Sequence, residues 1–388
     1  MSTATMPSNS TSSDASNNEG IPQPPPSPSP SPPAEQPVHL DEQGRPKIIE
    51  VRFVVEEEYH RYRLDHYLMA KIHRLSRAKI KKIIATQLEC ENGRCMKPSS
   101  PVRAGQTLVI RRPARPEPPC PRTFGVLHED AAFLVIDKPA GLPMHATARY
   151  YFNTLTRLLA ERFPAQGLQI AHRLDKETSG CLLVARGKAA ASRLKGAFEH
   201  RLVEKTYVAL VHGMPDWPIE GWHTIDQPLK LVDQSASRLG NRMEIASPGT
   251  EGAMPALTRV RVIERLPAGF SLVACRPETG RQHQIRVHLA ATGYPILGDK
   301  LYGRDDDEFI RFCNQELAGE SRTAAVFPGG ITRQALHAAE IVFPHPVTGS
   351  TVTVQSPLPP DMQACLEAFR APAPAPAPSC ARPVHGQQ

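Results

Sequence analysis

Apolar residues take up helical spacing in only a few short stretches of this chain; alternating or continuous apolar runs are more frequent. Near the start, residues 47–55 alternate and read as a short strand. Leu64, Tyr67, Leu68 and Ile72 then share one helical face, and Ser76 caps a second helix that turns Ile80, Ile83 and Ile84 inward. The other face of that helix carries Arg77, Lys79, Lys81 and Lys82. Asn92-Gly93 is a hairpin signal, and residues 106–111 read as a closing strand. Farther on, residues 124–136 give two strand-like pieces around a turn, 155–163 a short amphipathic helix, and 181–185 a buried strand. A helix near 189–199, strands at 204–213, 257–263 and 270–275, and a helix at 283–291 stopped by Gly293 follow. Two more strand-like runs lie near 335–343 and 350–354. Strands outnumber helices and often succeed one another directly. The expected class is α+β, with a mixed, mainly antiparallel sheet in a larger domain and a small α+β module ahead of it.

Between and around these elements the pattern fails, and composition says why. Residues 1–46 are rich in Ser, Asn and Pro and cannot bury enough apolar surface to offset their ordering entropy, so a disordered tail is expected. The Ala/Pro tail at 371–388 reads the same way. The Pro-rich stretch 113–121 reads as a linker between a module at 47–112 and a domain at 122–370. No run is apolar enough to span a membrane, and neither a secretory signal nor an Arg-rich transit peptide is expected at a start with no Lys or Arg before Arg45. The eight cysteines include no CxxC pair, and Cys90 and Cys95 are the closest in sequence; reduced thiols in a cytoplasmic protein are expected.

Charge sharpens the picture. The formal net charge is +7, yet residues 60–115 hold 14 Lys and Arg against 3 Asp and Glu, a local +11 that leaves about −4 for the rest. A basic block of this kind points to a polyanion, and nucleic acid is the first candidate.

Three stretches carry candidate chemistry. Residues 171–186, AHRLDKETSGCLLVAR, place Asp175 on a polar turn that feeds an apolar strand. A loop carboxylate between Arg173 and Arg186 is ordinarily a solvated pair; its company farther along the chain distinguishes Asp175. Tyr207, in Lys205-x-Tyr207, sets a phenol on an apolar strand, where a core aromatic is the plainer reading. Residues 277–289, PETGRQHQIRVHL, place a Thr-Gly turn before a helix dense in donors, an arrangement that with Arg281 suits a phosphate. His283 and His288 are five apart, the wrong spacing for a zinc pair on one helix face. P-loop, GxSxG and dinucleotide glycine motifs are missing from every strand–helix junction, and no metal is expected.

The order of elements over 62–112, with RLDHYL, SRAKIKKII, the Asn-Gly turn and a closing strand, resembles the RNA-binding module named after ribosomal protein S4. That resemblance implies RNA contact through the second helix, with Arg77, Lys81 and Lys82 on phosphates. Over 126–359 the sequences VLHEDAAFLVIDKPAGLPMH, AHRLDKETSGCLLVAR, EKTYVALVHG, PETGRQHQIRVHLAATGYPILGDKLYG and RQALHAAEIVFPHPVTGS resemble, in order, the RluA family of pseudouridine synthases. The insert at 305–330 is longer than that family's usual link. The resemblance implies a cofactor-free isomerase that breaks the N1–C1′ bond of uridine, turns the base and rejoins it through C5. Asp175 would be the essential carboxylate, acting on the ribose or by another route, with Arg286 as its ion-pair partner. Tyr207 would lie on the uracil face and help remove the C5 proton. Arg173 would replace the flipped uridine in the RNA stack, Leu289 would line the pocket, and Arg281 would meet phosphate. The implied substrate is structured RNA, ribosomal RNA first, with tRNA and mRNA as alternatives, and the implied protein is a cytoplasmic monomer.

Overall fold

The computed structural model describes residues 37–72, 75–89, 95–147, 149–233, 242–305, 307–308, 310–312 and 327–371. The Asn92-Gly93 turn, most of the two tails and most of the 305–330 insert lie outside the described residues. Strand β1 (Ile48–Val54), helices α1 (Leu64–Lys71) and α2 (Arg77–Thr86) and strand β2 (Thr107–Pro113) form the N-terminal module. The strands pair antiparallel in full register, Ile48 opposite Pro113 and Val54 opposite Thr107. Leu64, Tyr67, Leu68, Ile80, Ile84, Val102, Leu108 and Ile110 close a small core of their own. Ser76 accepts the Lys79 N–H as the expected cap.

The stretch expected to be a linker is docked. Ala114 donates its N–H to the Lys47 carbonyl and is buried with Ile49 and Phe152. Glu117 accepts the backbone N–H groups of Tyr151, Phe152 and Asn153 at 2.8, 2.9 and 2.9 Å. A carboxylate that gathers three amides fixes both segments, so these prolines connect without swinging free. The expected tail boundary also moves inward. Residues 38–46 form a turn held by Asp41, which accepts the N–H groups of Gln43 and Arg45, and by the Lys47 N–H donating to His39.

The larger part is built on β3 (Gly125–Glu129), β4 (Phe133–Lys138), α3 (Leu155–Arg162), β5 (Leu168–Ile170), β6 (Ser179–Arg186), α4 (Gly187–Glu199), β7 (Glu204–His212) and β8 (His223–Asp226). It continues through β9 (Leu229–Leu231), β10 (Met243–Ile245), β11 (Leu257–Leu266), β12 (Phe270–Pro277), α5 (Gln284–Ala291), β13 (Leu336–Pro344), β14 (Thr351–Gln355) and α6 (Pro360–Arg370). The main sheet runs β3-β4-β6-β13-β7-β12-β11-β8, with β14 added on β13 and β5 on β6. The expected class holds: among the described pairings only β6–β13 is parallel. β6 is apolar on both faces because it is buried on both. Leu182 and Val184 join the main core, while Cys181, Leu183 and Ala185 pack on the other side with α4. Cys181, Cys275 and Cys365 are buried free thiols, as expected; Cys95 is instead disulfide-bonded. No helix among the described residues is long and apolar enough to cross a membrane.

Candidate active site

Asp175 sits on the turn that enters β6, and three sequence-distant segments hold that turn. Lys138, completely buried at the end of β4, donates to the carbonyls of Pro139, Lys176 and Thr178 at 2.9–3.1 Å. Arg333 donates to the Glu177 carbonyl, Gln334 to the Thr178 hydroxyl at 2.7 Å, and Lys300 to the Glu177 carboxylate. His337 Nδ1 meets Ser179 Oγ at 3.0 Å. Gly180 completes the turn with φ of 107°, and a Cβ there would collide with the Ala338 carbonyl of β13. All three Lys138 donors are spent on carbonyls, yet burial pulls its pKa down to about 7 against the opposing pull of Asp175.

Arg286, on α5, joins two carboxylates. Its Nη1 donates to Asp175 at 2.9 Å, while Nε and Nη2 grip Asp299 at 2.7 and 2.8 Å. Asp299 is buried and also accepts the N–H groups of Leu301 and Tyr302, so it is wholly committed to holding Arg286. Burial opposes the charge on Arg286, but Asp299 and then Asp175 outweigh it and raise its pKa. Burial likewise pushes the Asp175 carboxyl up; the Arg286 guanidinium reverses this and holds it below the usual carboxylate value. Asp175 is therefore ionised at neutral pH while still about one-fifth exposed. The guanidinium carbon lies 5.1 Å from the Tyr302 ring.

His283 is the site residue the sequence reading passed over except as a metal ligand. It caps α5 in a left-handed conformation, φ 55°, a strained state for a residue with a Cβ. That geometry leaves its Nε2 3.9 Å from Asp175 and its Nδ1 2.9 Å from the Tyr302 hydroxyl. Tyr302 already accepts the Met243 N–H, so its own proton is free for Nδ1, which leaves the Nε2 proton facing Asp175. Burial, reinforced by Arg286, lowers the His283 pKa to about 4, so the ring is neutral near pH 7. On the other side of α5, Gln284 accepts from the Thr279 hydroxyl and the Arg281 N–H and donates to Leu257 and Thr258. His288 bonds Thr258 at 2.8 Å and the Gln227 carbonyl at 3.0 Å. The donor-dense helix thus divides by period: residues 283 and 286 face the site, and 284 and 288 fasten the helix.

The structure brings Asp175 and Arg286 into contact and places Tyr207 nearby. Burial, followed by the Asp175 charge, raises the Tyr207 phenol pKa well above its ordinary value. Tyr207 is therefore a protonated phenol at neutral pH. Arg173 is exposed, and its side chain makes no hydrogen bond or ion pair among the described residues. Arg281 is exposed, and its Nε donates to the Pro255 carbonyl. Leu289 is completely buried in the main core, so it seats α5 and offers no surface to line a pocket. In the N-terminal module, Lys81 and Lys82 are exposed and make no ion pair among the described residues. Arg77 differs from them: it pairs with the buried Asp65 at 3.0 Å, beside Arg63.

A family model described as RNA pseudouridylate synthase matches residues 132–291. The chain is 34% identical over 321 residues to a ribosomal large subunit pseudouridine synthase D of Zymomonas mobilis subsp. mobilis, a match covering 79% of this chain and 93% of that protein. It is 37% identical over 246 residues to a ribosomal large subunit pseudouridine synthase C of Salmonella typhi, covering 63% and 70%. The solved structure of human RNA Pseudouridylate Synthase Domain Containing 1 shares 31% identity over 64% of this chain and 90% of that chain, with a TM-score of 0.48.

Proposed function

We propose, for a chain that belongs to the RluA family of RNA pseudouridine synthases, that its substrate is ribosomal RNA and that Asp175 carries the chemistry. The family isomerises uridine to pseudouridine in RNA. The uracil leaves C1′ through N1 and returns through C5; C5 loses a proton and N1 gains one. Nothing is oxidised or transferred to a second molecule, so the protein's own groups suffice. The observation that carries the reading is a carboxylate kept ionised by Arg286 while still open to a ligand. Asp299 spends its charge on Arg286, and His283 is neutral, which leaves Asp175 as the basic, nucleophilic group of the site. Tyr207 supplies the wall against which the base turns, and Arg173 fills the gap the extruded uridine leaves in the RNA.

The S4-like reading of the N-terminal module belongs to the same proposal. Exposed Lys79, Lys81 and Lys82 on α2 support RNA contact there, and Arg281 supports a phosphate contact beside the site. The relatives named for the large ribosomal subunit support ribosomal RNA over tRNA or mRNA, and a cytoplasmic monomer is part of the same proposal. The test is tritium release from ribosomal RNA labelled at uridine C5, with wild type beside Asp175→Asn. Release by wild type and none by the variant is expected; turnover by the variant overturns the assignment.

A further inference from the structure

Lys205 is the second residue of β7, two positions before Tyr207. Alternation along a strand puts both side chains on one face, with Lys205 about 6.6 Å nearer the strand's start. Its ammonium lies 5.7 Å from the centroid of the Phe198 ring and 3.9 Å from where a Cβ on Gly280 would stand. It therefore reaches between α4 and the turn that carries Arg281. The neighbouring ring is His172, whose Nε2 accepts the Leu183 N–H and whose pKa burial lowers to about 3, so it brings no charge. Among the described residues no carboxylate lies within ion-pairing distance of Lys205, and no protein group accepts a hydrogen bond from it. Burial lowers its pKa with no acidic neighbour to oppose the shift.

The other lysines around the site show how unusual this is. Lys138 has three carbonyls, Lys300 has Glu177, and Lys176 donates to the Tyr150 hydroxyl at 2.8 Å. Lys205 is only partly buried, so its ammonium meets solvent with no acceptor from the protein, in a place where a methionine would pack against Phe198 equally well. A cation retained there is explained by an acceptor that arrives with the substrate. Arg173, next in the chain to His172, and Arg281, next to Gly280, are both exposed, and the anion that RNA presents at every nucleotide is its phosphodiester. We propose that Lys205 binds a backbone phosphate of the RNA strand next to the extruded uridine, and so registers the strand against the Asp175 centre. This inference rests on the functional reading above.

The test uses the full chain carrying Asp175→Asn, to stop turnover, and unmodified transcribed large-subunit ribosomal RNA titrated at a series of KCl concentrations. Adding Lys205→Met should weaken binding about tenfold at low salt and flatten the log–log salt slope by about 0.7 to 0.9. Lys205→Arg should restore the slope. The melting temperature of the Met variant should match that of its parent, since the ammonium has no partner within the protein to lose and the methionine keeps the packing on Phe198. Wild-type affinity and slope in the Met variant would overturn the proposal. So would a loss of affinity at unchanged slope, which would place a base or ribose on Lys205, and so would a lower melting temperature in both variants, which would make its role structural. Turnover by Asp175→Asn alone fails the functional reading instead, so the two failures are told apart.

Discussion

Arg286 and Lys82 are both cations that an RNA-modifying enzyme can use, yet the fold treats them in opposite ways. Arg286 is buried, and its guanidinium is divided between Asp299 and Asp175. Lys82 stands on the exposed face of α2, with no acid beside it among the described residues. The first arrangement fixes one atom in a water-poor place and governs a protonation state. The second leaves a charge mobile, hydrated and ready to displace counterions from a phosphate chain. Arg77 shows that sequence neighbours on one helix can fall on either side of this divide, because it is fastened to buried Asp65 while Lys81 is not.

The contrast can be broken at its strongest point first. Asp175→Asn should abolish pseudouridine formation while leaving RNA affinity almost intact, measured by tritium release and filter binding on the same preparation. Arg286→Lys should come next, lowering turnover by about 100-fold or more through the loss of preorganised charge. Its pH profile carries the sharper reading. In the native protein the Asp175 pKa lies below its unfolded value, so its ionised form favours the folded state above that unfolded value, and this is lost as pH falls through the folded pKa. Weakening the guanidinium lets burial dominate, so the acid limb of turnover should move to higher pH. An unmoved acid limb would show that Arg286 does not set the ionisation of Asp175.

Smaller effects are expected on α2. Replacing Lys79, Lys81 and Lys82 together with Ala should flatten the log–log salt slope of binding by roughly 2 to 2.7, at 0.7 to 0.9 for each contact, with the loss falling on KM and not kcat. Arg77→Ala should behave differently, lowering the melting temperature because it strips a partner from buried Asp65. Equal melting curves for Arg77→Ala and wild type would return Arg77 to the solvated set.

Much of this was readable before any coordinates. β6, α2 and the pairing of β11 with β12 follow from apolar period alone, and the turn carrying Asp175 follows from the polar knot ahead of an apolar run. The short strands β5, β8, β9 and β10 were not readable, since three or four residues carry too little periodicity. Helix α6 left a signal that went unused. Pro360 opens it, and Met362, Cys365, Leu366 and Phe369 recur at helical spacing. At the site, the pairing of Arg286 with Asp175 came from resemblance. Asp299 and Tyr302 stayed hidden because their roles depend on contacts 13 to 19 residues back along the chain. Leu289 was misplaced because helical spacing cannot separate a residue lining a cleft from one beneath it. The docking of the 113–121 stretch was not legible, because proline content describes stiffness and says nothing of a Glu117 that finds three amides.

On the proposed reading, in which the N-terminal module also grips RNA, that last carboxylate changes what the two surfaces can do together. A free tether would let the N-terminal module grip any helix within reach while the other end searched independently, and the gain in effective concentration would be spread over many geometries. With the connection fastened at Tyr151, Phe152 and Asn153, the span between the two grips becomes a gauge. An RNA would satisfy both proposed grips only when its target uridine stands at the matching distance from a phosphate ridge. On that reading, selection among uridines would work as a measurement of length, made before any base is inspected.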